Sequence, residues 1–153
     1  MSTLKDFRFH VDASPLPERR VRLTSYGKPL LEAVTPPEFR GGTPDRWTPE
    51  DLLVASVASC YVLTFEAIAA RRELSFTGFD IQAAGHVTLR ADGRLGFVVI
   101  ELHVSLTVAA GLEPEAEAAA RLAEKRCLIS RALEVPVELE LEIKSSKPGL
   151  VPA

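Results

Sequence analysis

At 153 residues, with 46% hydrophobic and 25% charged residues, the sequence has the size and balance of one domain built around one core. Its formal charge of -3 offers no general attraction to phosphate backbones, so nucleic acid is not an expected partner. The opening MSTLKDFRFH lacks the basic start, apolar run and small-residue cleavage site of a secretory signal, and a cytoplasmic location is expected. In that reducing compartment Cys60 and Cys127 are inert thiols, metal ligands or redox groups rather than a permanent bridge.

Residues 7–11 alternate, with Phe7, Phe9 and Val11 on one face and Arg8 and His10 on the other, the period of a half-buried strand. Val21 and Leu23 repeat that period. Ser25-Tyr26-Gly27-Lys28-Pro29 has turn chemistry, and residues 30–34 return as a third strand of an N-terminal meander. Residues 36–48 read as a loop. Thr48 is then a good N-cap, Pro49 suits the first helical position, and Glu50 and Asp51 place negative charge at the positive end of the helix dipole.

Strands are expected at 79–89 and 95–108, joined by Arg90-Ala91-Asp92-Gly93-Arg94, whose Asp-Gly dipeptide signals a hairpin. Pro114 opens a second helix on which Ala116, Ala120, Ala123 and Cys127 recur at steps of four, three and four, so Cys127 is expected on its apolar face. Val135-Pro136 stops that helix, and residues 137–143 alternate Val137, Leu139, Leu141 and Ile143 with Glu138, Glu140 and Glu142 as a last strand. Only the tail 144–153 reads as loose. The order βββαββαβ describes a single α+β domain over residues 1–153.

Between Leu52 and Ala70 the only charge is Glu66, and 19 residues of helix rise about 28 Å, close to the thickness of a bilayer core. Ser56, Ser59, Thr64 and Glu66 interrupt the run and its flanks resemble soluble elements, so a membrane span is not expected. A helix apolar all round needs cover on every side, and Ala55, Ser56, Ala58 and Ser59 would admit an equivalent helix closely; an obligate homodimer is the expectation. Glu50 and Cys60 lie about 15 Å apart along one continuous helix, too far for both to hold one arginine. Two copies crossing antiparallel near Ala55 would bring them together across the dimer, and a helix break after Glu50 is the other geometry. His10, His86 and His103 lack metal-site spacing, so no metal is expected.

The segment Pro36-Pro37-Glu38-Phe39, then Gly41-Gly42, then Trp47-Thr48-Pro49-Glu50-Asp51-Leu52-Leu53-Val54-Ala55 running to Ser59-Cys60, resembles the OsmC and organic hydroperoxide resistance family. Cys127-Leu128-Ile129-Ser130-Arg131-Ala132-Leu133 resembles that family's second cysteine motif. The resemblance implies an OsmC-like fold in an intertwined homodimer, with two sites at the subunit interface that reduce peroxides through a cysteine pair without cofactor. It makes Cys60 the peroxidatic thiol, Cys127 the resolving thiol, and Glu50 the acid that orients an arginine from the N-terminal strands. Arg19 is nearest the position of that arginine, with Arg20 and Arg22 close behind. The chain departs from the family in Tyr61-Val62 after the first cysteine and in Leu128, where proline is frequent.

Peroxide reduction needs a thiolate, which burial among Ala, Val and Leu disfavours and a nearby arginine favours. Attack on the distal oxygen of a hydroperoxide gives an alcohol and a sulfenic acid, which a second thiol converts to a disulfide that an external dithiol reduces. Apolar residues such as Val57, Leu63 and Phe65 would favour organic hydroperoxides, with hydrogen peroxide a further candidate substrate. The alternative is a non-enzymatic dimer of the same fold that binds a small apolar ligand in its interfacial pocket.

Overall fold

Backbone pairing, and not side-chain alternation alone, decides where the first sheet begins. In the computed structural model, which describes residues 5–146, the chain forms two compact units, divided between Leu52 and Leu53. The first unit holds an antiparallel sheet of β1 (Asp12–Leu16), β2 (Arg20–Thr24) and β3 (Leu31–Val34), in that order. The expected strand at 7–11 is corrected: those residues join no sheet, and Phe7, Phe9 and Val11 are exposed. The register is set instead by the three-residue turn 17–19, which places Leu16 opposite Arg20. Pro15, which cannot complete a two-sided ladder, is tolerated because β1 is an edge strand.

Beyond β3, Trp47 bridges to Ala33, and the Val34 N–H donates to the Trp47 carbonyl at 2.9 Å. Thr48 and Asp51 then close a reciprocal cap on the first helix. The Thr48 N–H donates to Asp51 Oδ2 at 2.9 Å, and the Asp51 N–H returns to the Thr48 hydroxyl at 3.1 Å. The helix, α1 (Pro49–Arg71), runs for 23 residues without the break considered after Glu50.

In the second unit β4 (Phe76–Leu89) and β5 (Leu95–Ala109) form the expected hairpin, with the Arg94 N–H donating to Asp92 Oδ1 at 3.0 Å in its turn. Next come α2 (Glu113–Arg126), α3 (Leu128–Ala132) and β6 (Val137–Ser146). β6 lies parallel to β5, from Ile100 opposite Val137 to Ala109 opposite Ser146. The tail is therefore corrected at its start, because residues 144–146 are strand. There the Ser145 hydroxyl donates to Glu113, and that of Ser146 donates to the Val108 carbonyl. The rest of that tail, residues 147–153, lies outside the described residues.

The second helix also ends earlier than expected. Cys127 takes an extended backbone (ψ 114°), so it is a buried junction between α2 and α3 rather than a residue on the face of α2. One face of α1, carrying Val57, Tyr61, Phe65 and Ile68, is buried in the core with Ile100, Leu102, Val104 and Leu106 of β5 and the alanines of α2. Phe65 stacks at 4.8 Å from Phe79 and meets Phe76 edge-on at 5.4 Å. Full burial of each such side chain contributes roughly 1.5–3 kcal/mol. By length and composition α1 could cross a bilayer, a test that the core helix of a soluble protein also passes. Its other face is incompletely covered: Ala55 and Val62 are half-buried, and Ser59 and Leu63 are exposed.

Candidate active site

The two cysteines come together because the α2–α3 junction lies beside the middle of α1. Their thiols are within hydrogen-bonding reach of one another, Cys60 partly exposed and Cys127 fully buried. Burial raises the pKa of Cys60, but hydrogen bonds from the Ile129 backbone N–H, the Cys127 thiol, the Leu128 N–H and the Thr64 hydroxyl together outweigh it, and the net shift is downward. Burial pushes Cys127 upward. The Ser130 hydroxyl and N–H oppose that rise, and the Cys60 sulfur adds to it, both as a hydrogen-bond partner and as a charge. The first thiolate of the pair therefore belongs to Cys60, with Cys127 as its donor. Such a pair can make one accessible nucleophile and then close a disulfide.

The donors to Cys60 are the groups that sequence reasoning missed. Backbone N–H groups carry no side-chain signature, and their direction depends on α3, which was read as a continuation of the preceding helix. Thr64 follows Cys60 by one helical turn; its hydroxyl, which has one proton, donates to the Cys60 carbonyl at 2.7 Å and would have to turn from it to serve the nearby sulfur. That spacing of four was the signal available in the sequence.

The first unit assembles a separate set of groups. A cleft of about 410 Å³ is lined by Arg19 and Glu50 among mostly apolar residues that include Val21, Leu23, Val34, Phe39 and Leu52. Glu18 and Arg19 take left-handed backbone, with φ of 60° and 55°, which costs of order 1 kcal/mol for each non-glycine residue. Arg19 Nη1 donates to the Arg40 carbonyl at 2.7 Å. Its guanidinium also lies over Gly41, where a Cβ would come within 3.1 Å of Arg19 Nε. At Gly42 a Cβ would stand 1.8 Å from the Pro36 carbonyl oxygen, so the loop closes only with glycine there.

The three candidate arginines are thus separated. Arg19 lines the cleft with Glu50, although the two are not paired; among the described residues Glu50 Oε2 is buried without a hydrogen-bond partner. Arg20 instead donates to Glu32 at 3.4 Å, a carboxylate also held by Arg46 at 3.1 Å. Arg22 is exposed and opposite Glu32 in the β2–β3 register.

Three kinds of likeness bear on this arrangement. The Bacillus subtilis protein YmaD, itself uncharacterized, is 26% identical over 117 residues, covering 74% of this chain and 77% of its own. An OsmC-like protein of unknown function from Vibrio cholerae superposes with a TM-score of 0.80 at 18% identity, over 89% of this chain and 99% of that one. An organic hydroperoxide resistance protein from Elizabethkingia anophelis, crystallised with thiocyanate bound, gives 0.73 at 22% identity, over 95% of this chain and 100% of its own. These superpositions establish a common fold. The family model described as OsmC-like protein matches residues 42–142, the stretch that carries Glu50, both cysteines, every element from α1 to α3 and the first part of β6. The chain belongs to the OsmC-like protein family.

Proposed function

We propose that the protein is a thiol-dependent peroxidase that reduces organic hydroperoxides to alcohols, with hydrogen peroxide as a secondary substrate. The observation that carries this reading is the cysteine pair in which Cys60 is the partly exposed, thiolate-favoured member. The Cys60 thiolate attacks the distal oxygen of ROOH and the O–O bond breaks. The alkoxide leaves and takes a proton, giving ROH and a Cys60 sulfenic acid. The Cys127 thiol attacks that sulfur, water leaves, and the Cys60–Cys127 disulfide forms. An external dithiol then reduces it. Structural relatives named as organic hydroperoxide resistance proteins, from Elizabethkingia anophelis and Bacillus subtilis, support the substrate class.

The protein acts in this reading as a cytoplasmic homodimer, without metal or cofactor, the whole chain serving as one domain. Arg19, held by the Arg40 carbonyl in the cleft that Glu50 also lines, supplies positive charge to the Cys60 site of the partner subunit as the alkoxide develops. The incompletely covered face of α1 supports such an association.

The test is consumption of cumene hydroperoxide driven by dithiothreitol. Wild type should turn over and saturate, and Cys60→Ser should be inert; equal rates for the two proteins would overturn the reading. The largely apolar walls of the Arg19 cleft favour one second reading, a dimer that binds a small apolar ligand without turnover. Saturable ligand binding by a protein that never consumes peroxide would select it.

A further inference from the structure

The peroxidase reading assigns no task to Ser130. This residue is the third of α3, and its backbone follows the turn that Cys127 opens: the Arg131 N–H donates to the Cys127 carbonyl at 3.1 Å. Residues at the cap and third positions of a helix face each other. Cys127 occupies the cap and is fully buried, and the Ser130 hydroxyl oxygen is buried near it without a hydrogen-bond partner among the described residues. A buried hydroxyl without a partner has desolvation to recover, and the Cys127 sulfur is a reactive group on which it acts. The Ser130 N–H approaches the same sulfur without closing a cap bond.

Resting on the peroxidase reading, we infer that Ser130 stabilises Cys127 as the leaving group when the Cys60–Cys127 disulfide is reduced. Accessibility sets the direction of attack, since Cys60 is partly exposed and Cys127 is not. One thiolate of the external dithiol attacks the Cys60 sulfur. The S–S bond breaks, and its electron pair passes to Cys127, which leaves as a thiolate receiving the Ser130 hydroxyl hydrogen bond. The second thiol of the reductant gives up its proton to Cys127 and attacks the mixed disulfide. Cys60 is then released as a thiolate, and the reductant becomes a disulfide, oxidised by the two electrons the protein gains. A leaving thiolate departs faster when its charge is stabilised, and only a donor that reaches Cys127 can do that in a buried pocket.

The experiment prepares the disulfide with diamide, so that its outcome does not depend on peroxide chemistry. Reduction by dithiothreitol is then followed in wild type, Ser130→Ala and Ser130→Thr. Loss of one hydrogen bond to a developing thiolate should slow reduction of Ser130→Ala about tenfold, and Ser130→Thr, which keeps the hydroxyl, should recover most of the rate. In wild type, excess 2-mercaptoethanol followed by an acid quench should leave its adduct on Cys60. Equal reduction rates for wild type and Ser130→Ala, failure of threonine to rescue a folded variant, or an adduct on Cys127 would each overturn the inference. The peroxidase reading fails separately, by absence of hydroperoxide consumption in wild type.

Discussion

Replacing Leu128 by proline isolates the backbone contribution to Cys60. Leu128 offers its N–H to the Cys60 sulfur, opens α3 and is 68% exposed, so little packing is lost. An N–H in the first turn of a helix has no acceptor within the helix, and proline's fixed φ suits this position. Cys127 already has the φ of -58° and ψ of 114° that a following proline requires of its neighbour. The substitution therefore deletes one donor and leaves the fold. Hydrogen bonds to charged groups contribute about 1.5–3 kcal/mol each. The Ile129 N–H, the Cys127 thiol and the Thr64 hydroxyl remain, and Cys60 is partly solvated, so the lower end applies. That corresponds to about a tenfold fall in thiolate population wherever the neutral thiol predominates. The assay is the pH dependence of Cys60 alkylation by iodoacetamide, resolved from Cys127 by peptide mass spectrometry. The profile of Leu128→Pro should move to higher pH, since a group whose folded pKa is depressed holds its charge down to a lower pH only while its donors remain. A folded variant with the wild-type profile would refute the claim that backbone N–H groups prepare this thiolate.

Among the arginines, Arg19→Ala should lower hydroperoxide turnover at least tenfold with the fold intact, a loss expected when one charged donor leaves a developing anion. Arg20→Ala should leave turnover nearly unchanged and lower stability by at most about 1 kcal/mol, the range for a solvated ion pair; the reverse ranking in steady-state assays would reassign the role. Tyr61→Phe deletes the buried hydroxyl that donates to the Ala120 carbonyl at 3.2 Å, which should cost about 1 kcal/mol, or 2–4 °C in Tm, at pH 7. Burial raises the Tyr61 pKa, so its stabilising effect is complete below the unfolded value and is lost as pH rises. The variant should accordingly lose less stability than wild type between pH 7 and 11, and parallel melting curves would contradict that. Finally, mixing Glu50→Ala with Cys60→Ser subunits should restore about one working site per heterodimer if the site is shared between copies. Inactivity of every mixture, with subunit exchange verified by mass, would place the site within one chain.

What the sequence disclosed, and what it withheld, follows from which interactions leave a mark on residue type. The cap at Thr48, the Asp92-Gly93 turn and the strict alternation of 137–143 were legible because each is local and uses side chains. Residues 7–11 misled because alternation reports a period and says nothing about a pairing partner, while the true edge strand contains Pro15 and Ser14, which read against strand. Cys127 continued the four-three-four spacing of α2, and only its extended ψ, a backbone property, reveals the junction. The approach of Cys127 to Cys60 was readable through the family motifs. The choice among Arg19, Arg20 and Arg22 was not, since what separates them is the left-handed turn at Glu18 and Arg19, at positions where glycine or asparagine would have announced it.

The parallel pairing of β5 with β6 also dictates when the cysteine pair can exist. A parallel neighbour cannot be reached by a tight turn, so the chain must first lay down α2 and α3 as a crossover and then return the last strand alongside Ile100. Cys127 lies inside that crossover, and Cys60 is synthesised 67 residues earlier. On the ribosome, α1 and the β4–β5 hairpin can form while Cys60 still lacks the Leu128 and Ile129 N–H groups and the Cys127 thiol. Most of the lowering of the Cys60 pKa is thus conferred late, by groups 67 to 69 residues away in sequence. A nascent or truncated chain carries at this position an ordinary helix cysteine, without most of the neighbours that lower its pKa in the complete fold.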